Sequence, residues 1–135
     1  MRLNETEISG TAQKLIAAHK NLAPIEPLTE TYPGITIEDA YRIQLLTIDA
    51  WKAEGQKVVG KKIGLTSAPM QEMLGVDEPD YGHLMDRMLV YEDSGMPAST
   101  LIEPRIEGEI AFVLDSDLTG PGVTPADVVR STAGV

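Results

Sequence analysis

The apolar residues change their period at Gly55, and that change limits what the chain can fold into. Before it, Ile37, Tyr41, Leu45 and Ile48 recur at helical spacing on one side of a segment opened by Thr36-Ile37-Glu38-Asp39. That opening resembles a capping box, with Asp in place of the usual Glu or Gln. The helix is expected to run to about Glu54, with Gly55 ending it. An earlier helix is expected over residues 6–21, where Ala12, Leu15, Ile16 and His19 share a face. Prolines and glycines from Pro24 to Gly34 mark a loop between the two.

After Gly55 the pattern is that of strands. Lys57 to Leu65 is expected to form a strand interrupted by Gly60 and Gly64. Ser67 is placed to cap a short helix reaching Leu74, with Gly75 as its stop. Pro79-Asp80-Tyr81-Gly82 has turn composition, and Met88-Leu89-Val90-Tyr91 is expected as a short strand. The clearest strand is Arg105 to Leu114, which leads to a turn at Gly120-Pro121-Gly122. Thr124 then offers a cap, with Pro125 at the first helical position and Asp127 at the third. No helix stop or closing strand is recognisable before Val135, so the sequence is expected to be truncated.

With 135 residues, the chain suffices for one modest domain. Apolar residues make up 42% and charged residues 24%, an ordinary globular balance. Net charge is −10, from 21 acidic and 11 basic side chains. Such a surface repels phosphate backbones and anionic lipid, which argues against nucleic-acid or membrane partners. The absence of cysteine excludes disulfides and thiolate metal sites and fits a cytoplasmic protein. The opening residues, with acids at Glu5 and Glu7, do not form a signal peptide.

Two groups of residues could carry chemistry. Glu107 and Glu109 lie two apart, so on a strand both carboxylates leave the same face. Paired carboxylates beside a buried strand repel each other unless a cation or a proton lies between them. Hard divalent ions take such oxygen ligands. An exposed, solvated edge would satisfy the same spacing, and spacing leaves both readings open. Lys61 and Lys62 are adjacent, so a strand sends them to opposite faces; Gly60 and Gly64 beside them allow close backbone approach. Two surface lysines on an edge strand are the plainer alternative. Asp80 has an ordinary explanation as a turn residue. His19 is expected to pack on a helix face and His83 to sit in a loop, while Met70, Met73, Met85 and Met88 are expected to fill the core.

Taken together, these segments resemble the hydratase/decarboxylase branch of the fumarylacetoacetate hydrolase superfamily. The likeness rests on Val59-Gly60-Lys61-Lys62-Ile63-Gly64-Leu65-Thr66-Ser67, Met73-Leu74-Gly75-Val76 and Glu78-Pro79-Asp80-Tyr81-Gly82. It continues through Pro104 to Phe112 and Leu118 to Thr124. It covers the chain from about residue 36 onward, with order and spacing kept. The fold it implies is α+β: a helical N-terminal segment, 1–55, followed by the first strands of a mixed β-roll in an incomplete catalytic domain, 56–135. Glu107 and Glu109 would be two ligands of Mg²⁺ or Mn²⁺, with the family's third carboxylate beyond Val135. Lys62 and Asp80 would be catalytic, and Leu65, Thr66 and Ser67 would contact a small 2-oxo acid substrate.

The implied activity is hydration of 2-hydroxypenta-2,4-dienoate to 4-hydroxy-2-oxopentanoate, in meta-cleavage catabolism of aromatic compounds. A bound divalent cation would offset the repulsion between an acidic chain and an anionic substrate. The alternatives are a 2-oxo-3-enedioate (4-oxalocrotonate) decarboxylase, a hydratase for a longer dicarboxylate, and an inactive fragment. Residues 1–135 alone are expected to turn over weakly or not at all. The resemblance further implies a homo-oligomer and association with the pathway's decarboxylase.

Overall fold

A computed structural model describes residues 2–135 and divides the chain into two compact units, Met1–Glu103 and Pro104–Val135. Helix α1 spans Glu5–Asn21. Its start is fixed by a reciprocal capping box: Asn4 accepts from the Glu7 N–H, and the Glu7 carboxylate accepts from the Asn4 N–H. After a single turn, α2 (Leu28–Thr31), the expected helix follows as α3, Ile37–Ala53, with Thr36 and Asp39 capping each other as the sequence suggested. Helices α1 and α3 pack together around Leu3, Ile8, Ala12 and Ile43, flanked by Leu15, Leu28, Tyr32 and Ile35.

The buried stripe of α3 differs from the one expected. Ile37 and Leu45 are half exposed, and the buried positions are Asp39, Ile43, Thr47 and Ile48. Asp39 accounts for the difference. Its Oδ2 accepts from the Leu3 N–H at 3.1 Å and from the Thr36 N–H at 3.3 Å, so a carboxylate occupies a core-facing position. Those bonds, the Leu3 one foremost, hold its pKa below the ordinary carboxylate value. Thr47 is likewise satisfied on its own helix, donating to the Ile43 carbonyl.

Strand β1, Val58–Gly64, pairs antiparallel with β2, Asp80–Met85. The register sets Lys61 opposite His83, Lys62 opposite Gly82, Ile63 opposite Tyr81 and Gly64 opposite Asp80. Helix α4, Ala68–Leu74, lies between the strands and ends at Gly75 in the left-handed conformation, the expected stop. Residues 79–82 are not the turn expected: Asp80 opens β2, because pairing with Gly64 supplies its backbone partners. Met88 to Tyr91 does not form a strand; a 3₁₀ turn occupies Asp86–Met88. Of the four methionines expected in the core, Met85 is fully buried, whereas Met70, Met73 and Met88 are exposed.

The second unit is small. Strand β3 is only Val113–Leu114, paired antiparallel with β4, Thr132–Gly134; α5, Pro125–Arg130, lies between them. Thr124 caps α5 with Asp127 in another capping box. The strand expected over Arg105 to Leu114 is therefore mostly absent, and residues 105–112 carry no regular structure. A strand is held by its ladder, and β4 reaches only Val113 and Leu114. Ile106 is wholly exposed, as an apolar residue without a covering layer must be. β4 also corrects the expectation that no strand follows α5.

Candidate functional site

The strand pairing in the first unit brings two of the expected site residues to one face. Residues facing each other across an antiparallel pair project to the same side, and the side alternates along each strand. Lys62 with Gly82, and Gly64 with Asp80, therefore share a face on which Lys62 and Asp80 are diagonal neighbours. Both of the other positions are glycines, so neither adds a side chain between Lys62 and Asp80 on that face. Gly64 is needed for more than backbone freedom: a Cβ there would sit 2.3 Å from Asp80 Oδ1.

The opposite face, carrying Lys61, Ile63, Tyr81 and His83, is gripped by α3. Tyr41 stacks on Tyr81 with ring centroids 4.8 Å apart, and its hydroxyl accepts from the Tyr81 N–H at 3.3 Å. Gln44 Nε2 donates to the Tyr81 carbonyl at 3.2 Å, while Gln44 Oε1 lies 2.9 Å from His83 Nδ1. The Lys61 ammonium lies 5.3 Å from the Tyr81 ring centroid. Asp80 is thus held in place through its neighbour Tyr81, by a helix it does not itself touch in any of these bonds. His83 is a strand residue, not the loop residue expected, and its half-burial lowers its pKa, with Lys61 and Lys52 adding to the effect. His19 packs on the Trp51 ring at 5.1 Å, in line with its expected packing role.

A cavity of about 280 Å³ opens between α3 and the start of β2. Leu65, Val76, Asp80 and Tyr81 are on its wall; Lys62, Thr66 and Ser67 are not among its lining residues. Leu65 has φ of 54°, in the left-handed region, and its carbonyl accepts from Gln71 Nε2 at 2.7 Å. Ser67 stands at the start of α4 as expected, but its side chain makes no capping bond. Gln44 and Gln71 were not singled out in the sequence, and Tyr41 was read only as part of the α3 stripe. Tyr41 and Gln44 carried a signal, since positions 41, 44 and 48 repeat at helical spacing toward one flank.

Glu107 and Glu109 lie in the second unit, exposed, on the stretch without regular structure. The strand geometry that would align their carboxylates is not formed there. As donors they fit a hard divalent ion, being anionic oxygens two residues apart. Among the described residues no group of three or more His, Asp or Glu side chains gathers to hold a metal. No helix among them is long and apolar enough to cross a membrane.

No family model matches the chain. It is 47% identical over 131 residues to a 2-hydroxyhexa-2,4-dienoate hydratase of Comamonas testosteroni, covering 95% of this chain and 49% of that protein. It is 46% identical over 131 residues to a 2-hydroxypent-2,4-dienoate hydratase of Pseudomonas putida, covering 96% of this chain and 59% of that protein. A solved 4-oxalocrotonate decarboxylase from Pseudomonas putida G7, complexed with magnesium and adipate, matches with a TM-score of 0.90 at 35% identity, over 96% of this chain and 49% of that one. The same enzyme has also been solved with calcium and acetate. The chain spans about half the length of the relatives it matches. Its mixed helix-and-strand fold is that of the N-terminal half of this decarboxylase, a fumarylacetoacetate hydrolase superfamily structure, and the resemblance read from the sequence is borne out.

Proposed function

We propose that this chain belongs to a divalent-metal-dependent hydro-lyase that adds water to 2-hydroxypenta-2,4-dienoate, giving 4-hydroxy-2-oxopentanoate. The observation that carries the reading is the identity to dienoate hydratases over about half of their length, 46–47% against 35% for the decarboxylase whose fold the chain shares. In functional terms residues 1–55 are the helical brace and residues 56–135 part of the catalytic domain.

Lys62 and Asp80 are the proposed proton carriers. One can hold a positive charge and the other a negative charge, and their diagonal placement on a face cleared by Gly64 and Gly82 lets both reach one small substrate. The chemistry needs two proton movements. The dienol loses its 2-hydroxyl proton and gains one at C5, giving a conjugated enone. Water oxygen then bonds to C4, a water proton leaves, and C3 gains a proton. Leu65, Thr66 and Ser67 would border the substrate, with Leu65 already on the cavity wall beside Asp80. Glu107 and Glu109 would hold the cation, Mg²⁺ or Mn²⁺. When bound, it supplies positive charge for the substrate's carboxylate and 2-oxygen. The reading also assigns a cytoplasmic homo-oligomer able to associate with the pathway's decarboxylase.

A second reading, decarboxylation of a 2-oxo-3-enedioate, is favoured by the identity of the structural neighbour. An assay of the protein carrying this chain with each dienoate and Mg²⁺ separates the two. Proton NMR is expected to show 4-hydroxy-2-oxopentanoate accumulating from the pentadienoate. Release of CO₂ from the dicarboxylate, with no hydrated product from either compound, would overturn the hydratase reading.

A further inference from the structure

Helix α4 is an excursion that leaves β1 through Leu65 and returns toward β2 through Val76, and both of these residues lie on the wall of the cavity that holds Asp80. One residue ties the two ends. The Gln71 side chain donates to the Leu65 carbonyl at 2.7 Å, and the Gln71 backbone carbonyl accepts from the Val76 N–H at 3.0 Å. Its own N–H donates to the Ser67 carbonyl at 3.1 Å, which leaves its backbone little freedom. The entry needs such a tie. Leu65 sits at φ of 54°, where a Cβ crowds the backbone, and such conformations persist only when their surroundings over-determine them.

We propose that Gln71 is a positioning residue for substrate: it holds Leu65 in the left-handed conformation and Val76 in place, and so fixes the cavity wall beside Asp80. The proposal rests on the reading of Leu65 and Asp80 as substrate neighbours. The bond from Nε2 does the work, because a side chain of the same length without a donor leaves the Leu65 carbonyl unpaired and free to swing. Leu65 then relaxes to negative φ, which moves the peptide that leads into Thr66 and Ser67.

The test compares the unaltered chain with Gln71→Met, which keeps length and removes both donors, and with Gln71→Met/Leu65→Gly, since glycine accepts positive φ without cost. Backbone carbon and nitrogen shifts report the conformation of residue 65, and kcat/KM for the pentadienoate reports the cavity in the protein carrying this chain. Gln71→Met is expected to take Leu65 out of the left-handed region, with the β1–β2 signals unchanged, and to lower kcat/KM by about ten- to a hundredfold. The added Leu65→Gly is expected to return residue 65 to the left-handed region in the backbone shifts, since the strain at φ of 54° is gone. A left-handed Leu65 in Gln71→Met, or an unaltered kcat/KM, would overturn the proposal. So would Gln71 side-chain amide protons in the unaltered chain that exchange as fast as those of a free amide. Absence of hydration by the unaltered protein would instead refute the hydratase reading, while the shifts of residue 65 still decide the role of Gln71.

Discussion

The side-chain oxygen of Gln44 accepts the proton carried by His83 Nδ1, across 2.9 Å. The assignment follows from the other end of the amide. The Tyr81 carbonyl can only accept, so Gln44 must turn its nitrogen there and its oxygen to the imidazole. The neutral ring therefore carries its proton on Nδ1. A second proton on Nε2 would place a charge in a half-buried setting close to Lys61, and the pKa of His83 is accordingly lowered from 6.5, by burial first.

The pH dependence of stability follows with a definite sign. The unfolded chain binds the proton more readily than the folded one, so the contribution of neutral His83 is fully present above the ordinary value of 6.5. It is lost as pH falls through the lower, folded pKa. Urea unfolding at pH 8 and pH 5 is expected to show a larger loss of stability for the unaltered chain than for His83→Gln. Equal losses would mean that His83 is not the group responsible.

Gly64→Ala separates activity from stability. The new Cβ would meet Asp80 Oδ1, the end of a short side chain that can swing away without moving the backbone. Stability is expected to change by no more than about 1 kcal/mol. Turnover is expected to fall by about a hundredfold, because a catalytic carboxylate displaced by an ångström loses its alignment. Steady-state kinetics beside thermal unfolding decides, and full activity in a folded variant would remove Asp80 from the catalytic pair.

The two isoleucines of α3 should behave in opposite ways. Ile43 is 1% exposed within the helical core, so Ile43→Ala is expected to cost about 2–5 kcal/mol. Ile37 is 50% exposed, and Ile37→Ala should be close to neutral in the same denaturation experiment. Equal losses would restore the stripe first expected from the sequence.

Metal dependence tests the glutamates. In the protein carrying this chain, Mn²⁺ titration followed by electron paramagnetic resonance is expected to show a bound ion, and Glu107→Ala or Glu109→Ala to weaken it by at least tenfold. Loss of either carboxylate removes both charge and a ligand. Undiminished Mn²⁺ binding in the double variant would move the metal site elsewhere.

Elements whose signals are local were legible in the sequence. The Thr36–Asp39 box, the αL stop at Gly75 and the Thr124–Pro125 start of α5 all stand where the residues indicated, because caps and stops are decided within one turn of chain. Elements that depend on a distant partner were not. Asp80 looked like a turn residue until Gly64 paired with it, and residues 105–112 looked like a strand although no ladder reaches them. The buried face of α3 was obscured by Asp39, whose polarity conceals a core position, since its partners Leu3 and Thr36 are backbone amides that leave no mark on composition. The likeness of motifs brought Lys62 and Asp80 forward together; their spacing, 18 residues apart, offered no reason to join them.

The alternation along β2 has a consequence for how this chain can tolerate change. Tyr81 and His83 are clasped by α3, and Asp80 and Gly82 alternate with them on the side of Lys62, so parity separates the residues held by the helix from those proposed for the chemistry. Losing or gaining a single residue between Tyr81 and His83 would exchange the two sets on β2, turning the Tyr81 ring to the Lys62 side and Asp80 to the helix side. Point substitutions there disturb one group at a time, whereas an indel of one residue reverses the facing of every strand residue to one side of it.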